Sequence, residues 1–453
     1  MTHAWFLTAT APVPPLAAAL VGGDKAPYVY GSYPDLGDGS SWRAGPTERT
    51  GVEVDADGFT ATTSPLNEIP LYLVNDRFHG RVLVCSDVFV AASAAAAWGL
   101  PQAVGDRAAI HREGSTALHG VRRLVPGSVT RVRRLGSGWA VDTSDQVDPL
   151  DAALTPTLTD PVAAGAAFVS ALGDAVRAYT DPAAPVATML SEGIDSGAVT
   201  TLAHRAGLRV TAYSAGTPWG DEYAGAAELA GYLGIAHRRI DLTAAELIGA
   251  VPEVIRVLGH AHPEKVDIAV TAVALLRRGA VVEPQVLTGY GSDLLNLGLP
   301  VTTRDPDELI GIIREGIDDT RYSGELTTVF ATARGKRLLH PYWHPDVIAT
   351  ALAVHPHCKV DGGREKAYFR AAMARQLPEP IAWRRKVAVH HGGGLQRGLN
   401  ACFGGAQAKA EAYLDCFDTV AARVRVDPLG AAHADHSDAV ARLLARAPGM
   451  PRS

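Results

Sequence analysis

The chain has 453 residues, enough for two or three domains with sizeable cores. Its 42 Lys and Arg against 48 Asp and Glu give a formal net charge of -6, with 47% hydrophobic and 20% charged residues. That balance leaves no basic footprint for DNA, RNA or an anionic membrane surface, and it is the composition of an ordinary soluble protein.

The first residues, MTHAWFLTATAPVPPLAAALVGG, are apolar but are broken by Pro12, Pro14 and Pro15 and preceded by no Lys or Arg, which makes a poor signal peptide. No stretch reaches the roughly 18 apolar residues of a membrane span. The four cysteines (Cys85, Cys358, Cys402, Cys416) are too far apart for a CxxC pair or a zinc knuckle, so a reducing cytoplasm is expected.

Residues 1 to about 150 read as short β runs divided by Gly, Pro, Asp and Ser: HAWFLTA, YVYGSY, GVEVDADGFTATT, IPLYLVNDR, GRVLVCSDVFV, GSVTRVRRLG and GWAVDTS. Such spacing predicts a β-rich sandwich or layered domain, with one helical patch at Ala91 to Trp98. The texture changes within TSDQVDPLDAALTPTLTD, which places a boundary near 148 to 160 and divides the chain into 1–155 and 156–453. Beyond it, Ala-rich helical stretches such as AAGAAFVSALGDAVRAYT alternate with compact apolar strands, PVATML (185–190), RVTAYSAG (209–216), HRRIDL (237–242) and PQVLTGYG (284–291). Alternation of that kind predicts an α/β domain around a parallel sheet. The last segment reads as a helix followed by a tail.

Residues 188–198, TMLSEGIDSGA, carry the most chemistry. An apolar strand ends at Leu190, a turn of small residues follows, and AVTTLAHRAG continues as a helix. Backbone N–H groups around Ser191, Gly193 and Ile194 and the positive helix end would face the crevice beyond the sheet, a place for phosphate, with the Ser191 and Ser196 hydroxyls as further donors. Asp195 suits that place when a divalent cation lies between carboxylate and phosphate. An ordinary strand-turn-helix connection is the alternative on the local pattern alone. In LTGYGSD (287–293), a second strand ends at Leu287 and a turn with Gly289 presents Tyr290 and Asp293 at the same sheet edge, so that Asp293 would be a second Mg²⁺ ligand.

SEGIDS resembles the SGGxDS pyrophosphate loop of the N-type ATP pyrophosphatases. With LTGYGSD, HPYWHPDVIATALAVHP (340–356), GGREKAYFRAAMARQLPEPI (362–381) and RRKVAVHHG (384–392), the chain from about 165 to 395 is similar to the asparagine synthetase superfamily, most of all its β-lactam synthetase and carbapenam synthetase branch. The resemblance implies an adenine-nucleotide α-hydrolase-like synthetase domain. It also implies use of ATP and Mg²⁺ to adenylate a carboxylate, release of pyrophosphate, and amide formation by an attacking amine.

By that resemblance Tyr290 is the tyrosine of a Tyr/Glu dyad that handles the amine proton. Glu325, fifteen positions before His340, has the offset of its partner. Lys366 would sit on phosphate, and Lys386, twenty positions later, would stabilise the oxyanion. Ser214, Ala215 and Gly216 would contact the nucleobase through backbone groups, bordered by Ala187, Met189 and Leu190. His390 and His391 would belong to a mobile cover. Two positions depart from the pattern: Glu192 stands in place of a glycine and Gly197 where serine is common, and a side chain at 192 is expected to crowd the turn unless it points outward.

Thr2 stands where glutamine-dependent members have a nucleophilic cysteine, and SPLNEIPLYLVNDRFHGRVLVCSDV (64–88) resembles only the later hairpin of their N-terminal hydrolase domain. The first 155 residues are therefore expected to be a trimmed, inactive glutaminase-like domain. The expected partner is a small amino-acid-derived or peptide substrate, with no nucleic acid and no membrane, and a homodimer is left open. A β-lactam synthetase-like cyclase is the leading reading. A lasso-peptide-type macrolactam cyclase or intermolecular amide ligase, and a catalytically silent nucleotide- or partner-binding relative, are the alternatives.

Overall fold

The computed structural model describes residues 6–8, 28–30, 41–44, 49–55, 58–112, 114–136, 138–145, 156–298, 301–332, 334–361, 363–384, 394–426 and 436–451. In the first part of the chain these include strands β1 (Phe6–Thr8), β2 (Tyr28–Tyr30), β3 (Ser41–Ala44), β4 (Thr50–Asp55), β5 (Gly58–Thr62), β6 (Tyr72–Asp76), β7 (Arg81–Cys85), β8 (Arg122–Arg123), β9 (Ser128–Leu135) and β10 (Gly138–Asp145). They form two antiparallel sheets, ordered β2-β1-β7-β6-β8 and β10-β9-β5-β4-β3. Val52, Phe59 and Val132 from one sheet meet Leu73, Val82 and Val84 from the other in a common apolar layer, as alternating strands of a sandwich do. The run GVEVDADGFTATT divides at Asp55 into the hairpin β4–β5.

The run GRVLVCSDVFV also divides, and here the expectation of one strand is corrected. Asp87 Oδ1 accepts from the Phe89 and Val90 amides at 2.9 and 3.1 Å, an N-cap that starts a helix over Val88–Ala97, earlier than the patch expected at Ala91.

The second part is built on β11 (Val186–Met189), β12 (Val210–Gly216), β13 (Ala236–Asp241), β14 (Gln285–Leu287) and β15 (Arg337–Leu339). All four neighbouring pairs are parallel, in the order β13-β12-β11-β14-β15. The chain builds outward through β12 and β13, then returns through the helices Ala244–Leu258 and Pro263–Arg277 to lay β14 on the other side of β11. The strand order reverses between β11 and β14, and the carboxyl ends of those two strands open a crevice where doubly wound sheets hold ligands. β15 is three residues long and was not singled out as a strand in the sequence.

The two parts share a core. Phe89 and Val90 of the early helix join Val251, Val254 and Ile255 of the helix Ala244–Leu258 and Val420 of the helix Ala406–Val426, and the Phe89 and Phe417 rings lie 5.0 Å apart. Asp87 closes the same seam from its second oxygen, which pairs with Arg256 at 2.9 Å. Among the described residues no helix is long and apolar enough to cross a membrane.

Asp87 thus serves both as a helix cap and as the partner of an arginine that is 7% exposed. Asp87→Ala is expected to lower stability by about 4 kcal/mol or more, the sum of a lost cap (about 1) and a broken buried ion pair (about 3–5). Urea unfolding checks this; a loss under about 1 kcal/mol would leave Asp87 as an ordinary surface cap.

Candidate active site

The turn after β11 leads into the helix Ile194–Arg205. Its two serines are tied together. Their hydroxyl oxygens are 2.8 Å apart, Ser196 Oγ accepts from the Ser191 amide at 3.0 Å, and Ser191 Oγ accepts from the Gly193 amide at 3.2 Å. Ile194 is 1% exposed and belongs to the core, so its side chain anchors the turn and only its backbone can face a ligand. Glu192 does not crowd the loop. Its Cβ lies against Gly225 of the helix Tyr223–Leu233, where a Cβ would strike both Glu192 and the Arg384 guanidinium. The departure at 192 is therefore accommodated by a glycine on a neighbouring helix.

Asp195, one residue into the helix, is 4% exposed. Lys366 Nζ lies 2.6 and 2.7 Å from its two carboxylate oxygens. The same ammonium is 2.6 Å from Asp293 Oδ1, in the turn after β14. Ser292 donates to Asp195 Oδ1 at 2.6 Å, and the Tyr342 hydroxyl donates to the Asp195 carbonyl at 3.1 Å.

Close approach of backbone brings this cluster together. A Cβ at Gly289 would lie 2.6 Å from the Ser196 amide nitrogen, and one at Gly298 would lie 2.5 Å from Lys366 Cε. Lys366 itself has φ of 60°, a left-handed conformation that costs a non-glycine residue about 1–3 kcal/mol and that gathers at functional sites. Three segments far apart in the chain thus deliver two carboxylates and one buried ammonium to the switch point of the sheet.

A cavity of about 270 Å³ opens beside the cluster, lined on the β11 and β12 side by Leu190, Ser191, Ser196 and Ser214, and on the β14 side by Gly289 and Tyr290. Ser214 Oγ is held by the Leu190 carbonyl at 2.6 Å and His237 Nε2 at 2.8 Å. Asp195, Asp293 and Glu325 also face the cavity. Tyr290 donates from its hydroxyl to the Ile268 carbonyl at 3.4 Å, and its ring stacks 6.1 Å from His340.

Glu325 accepts from Lys265 at 2.8 Å and Thr320 at 3.3 Å through Oε1, and from Ser323 through Oε2. Lys265 also pairs with Asp319 at 2.9 Å. Burial works against the Lys265 charge, yet the Glu325 and Asp319 carboxylates override it and raise its pKa. Burial likewise opposes ionisation of Asp319, but Lys265 and Arg112 prevail and hold its carboxyl below the usual range.

The structure therefore gathers Leu190, Ser191, Asp195, Ser196, Ser214, Gly289, Tyr290, Asp293 and Glu325 around one cavity, with Lys366 bound to its two aspartates. Gly193 lies in the loop behind it. Gly216 ends β12 between Ala215 and Thr217, which line the cavity, and the space a Cβ would take there is occupied by the Tyr223 hydroxyl and Asp241. Lys386, His390, His391 and Thr2 lie outside the described residues. Lys265 was missed in the sequence. Its signal was a lysine on the face that Ile268, Ala272 and Leu275 make apolar, at helical spacing in Pro263–Arg277.

The sequence matches the asparagine synthase family over residues 167–315 and 330–444. It is 31% identical over 277 residues to carboxyethyl-arginine beta-lactam-synthase of Streptomyces clavuligerus, covering 61% of this chain and 53% of that protein. It is 25% identical over 249 residues to the glutamine-hydrolysing asparagine synthetase B of Escherichia coli K12, covering 49% of this chain and 44% of the other. The chain thus matches about half the length of these curated relatives. The family match omits residues 316–329, the stretch that carries Glu325.

Two measurable consequences attach to the buried charges. Lys366→Met leaves Asp195 and Asp293 facing each other without their cation, and is expected to cost about 3–5 kcal/mol in urea unfolding; an unchanged midpoint would mean that the ammonium contributes little. His340 and His260 are buried, which pushes their pKa values down to about 4 and about 3. Because the unfolded chain binds those protons and the folded one does not, stability is expected to fall as pH drops from about 6.5 toward 4. His340→Asn should remove about 1.4 kcal/mol per pH unit from that slope, and a slope identical to the parent's would contradict the assignment.

Proposed function

The chain belongs to the asparagine synthase family, and we propose that it uses ATP to adenylate a substrate carboxylate and then closes an amide with an amine of the same substrate, in the manner of a β-lactam synthetase. The observation that carries the proposal is the convergence of Asp195, Lys366 and Asp293 at the sheet's switch point, beside a cavity that also holds Tyr290 and Glu325. The relative from Streptomyces clavuligerus, a lactam synthase by name, supports ring closure over transfer of ammonia. Burial of all four cysteines as free thiols supports a reducing cytoplasm, and similarity to a lactam synthase supports a role in secondary metabolism.

The backbone of Ser191, Gly193 and Ile194 and the Ser191 and Ser196 hydroxyls receive the departing pyrophosphate at the positive end of the helix. Leu190 and Ser214 border the adenine, with Gly216 at the end of the same strand, and Gly289 keeps the second turn close to the loop. Lys366, already beside the phosphate site, adds a cationic donor there.

Asp195 and Asp293 are hard oxygen donors that already converge on one cation, a set that fits Mg²⁺ completed by phosphate oxygens. Among the described residues no group of three or more His, Cys, Asp or Glu forms a cage of protein ligands, which suits an ion that arrives with its nucleotide. When bound, Mg²⁺ supplies neutralisation of phosphate charge. In the second half-reaction Tyr290 and Glu325 take the amine proton, because a carboxylate that holds the phenol's proton lets the phenol accept another. Lys386 is assigned the oxyanion of acyl transfer.

Exchange of labelled pyrophosphate into ATP is the test. With Mg²⁺ and a panel of N-(2-carboxyethyl) amino acids that includes the arginine derivative, exchange is expected to depend on the acid, AMP to accumulate, and the product to be one water lighter than the acid. Asp195→Ala should reduce exchange by about a hundredfold or more. Formation of ADP and phosphate, or exchange indifferent to every acid, would contradict the proposal.

A further inference from the structure

We propose that Lys265 is a positioning residue for the amide-forming step: it holds the Glu325 carboxylate at the cavity wall, and the N-terminal part of the chain braces it there through Arg112. This rests on the synthetase reading above and adds to it a residue outside the phosphate loop and the Tyr290 turn.

Lys265 lies on the cavity-facing side of the helix Pro263–Arg277, and its Nζ joins two carboxylates, Glu325 Oε1 at 2.8 Å and Asp319 Oδ2 at 2.9 Å. The side chains of Lys265 and Glu325 are 13% and 6% exposed, so neither charge can be handed over to bulk water. Remove the ammonium, and two carboxylates that share it are left to repel one another in a poorly solvated place. The remaining donors to Glu325, the hydroxyls of Thr320 and Ser323, are neutral. They direct the carboxylate but cannot offset its neighbour's charge. A carboxylate has about four acceptor positions; Lys265, Thr320 and Ser323 account for three and leave capacity toward the cavity where Tyr290 stands.

The segment that bears Glu325 is held from behind by the β sandwich. Arg112 pairs with Asp319 at 3.2 Å and with Asp318 at 3.1 Å. Arg123 donates to the Tyr322 carbonyl, the Asn67 amide donates to the Arg321 carbonyl at 2.7 Å, and the Thr328 amide donates to the Glu68 carbonyl at 3.1 Å. These contacts cross the seam between the two parts on both sides of Glu325. The chain Arg112, Asp319, Lys265, Glu325 therefore connects the sandwich to the reaction cavity, across the stretch 316–329 that the family match leaves out. The sandwich thus has a positioning task in the proposed synthetase.

Lys265→Met, Lys265→Gln and Lys265→Arg in the full chain test this with two readouts. Ligand-free crystal structures are expected to show the Glu325 carboxylate turned out of its place in the Met and Gln variants and retained in the Arg variant. A carboxylate that stays in place without the ammonium overturns the proposal. With N²-(2-carboxyethyl)arginine as probe, and the rest of the acid panel beside it, the Met variant is expected to keep pyrophosphate exchange and the KM for the acid within about threefold. Its kcat for the cyclised product should fall by about a hundredfold, with at least about tenfold recovery in the Arg variant. Equal loss of exchange and product, or a loss confined to KM, would make Lys265 a structural or substrate-binding residue and overturn the proposal. Failure of the parent enzyme to exchange with any acid would instead defeat the synthetase reading, while the crystallographic comparison still decides what Lys265 does.

Discussion

Two aspartates and one buried lysine, gathered at the point where a parallel sheet reverses its strand order, impose the constraint to which the rest of the molecule conforms. Carboxylates at Asp195 and Asp293 would repel at the separation the fold demands of them, and the Lys366 ammonium at 2.6 Å from each makes that separation tolerable. Much local structure exists to allow it. Gly289 and Gly298 remove side chains that would otherwise stand in the phosphate loop and against Lys366. Lys366 takes a left-handed backbone conformation, Ser292 donates to the Asp195 carboxylate, and Tyr342 donates to the Asp195 carbonyl.

The cluster also explains the division of labour within the fold. The sheet presents the carboxyl ends of β11 and β14 side by side, so the loop that follows each is aimed at the same volume. The helix Pro263–Arg277 borders that volume with an apolar face interrupted by Lys265, and the same cavity is lined by Asp195 and by Glu325. The sandwich backs the segment of Glu325 and shares its core with helices of the second part. The seam between the two parts carries a buried ion pair, an aromatic contact and the backbone hydrogen bonds Ala261 to Arg107 and Thr328 to Glu68 at once.

What could be read from the sequence was what is local. Strand, small-residue turn and helix follow one another within residues 186–205, so the loop after β11 and the place of Asp195 at the helix start were legible, as were the parallel sheet and the antiparallel strands of the sandwich. The strand assigned through Val88 failed because a single side chain, Asp87, caps a helix where β propensity alone favours continuing. Gly216 was placed by the position of its strand, whose end does reach the cavity through Ala215 and Thr217, while its packing against Tyr223 and Asp241 is not written in the strand itself. The Lys265–Glu325 pair spans 60 residues of chain and joins a helix to a segment outside the family match; resemblance pointed to Glu325 by its offset from His340, but nothing local announced Lys265 as its partner. Glu192 looked like a defect in a glycine-rich turn until Gly225, on another helix, supplied the missing room.

Lys366 and the two aspartates are assigned the place of the nucleotide's phosphates, and a crystal structure with Mg²⁺ and the non-cleavable analogue α,β-methylene-ATP tests this most directly. The phosphates are expected against Ser191, Gly193 and Ser196 with the adenine near Leu190 and Ser214, and Lys366 Nζ is expected to have left at least one of its aspartates for a phosphate oxygen. A nucleotide bound elsewhere, with the Asp195–Lys366–Asp293 cluster unchanged, would contradict it.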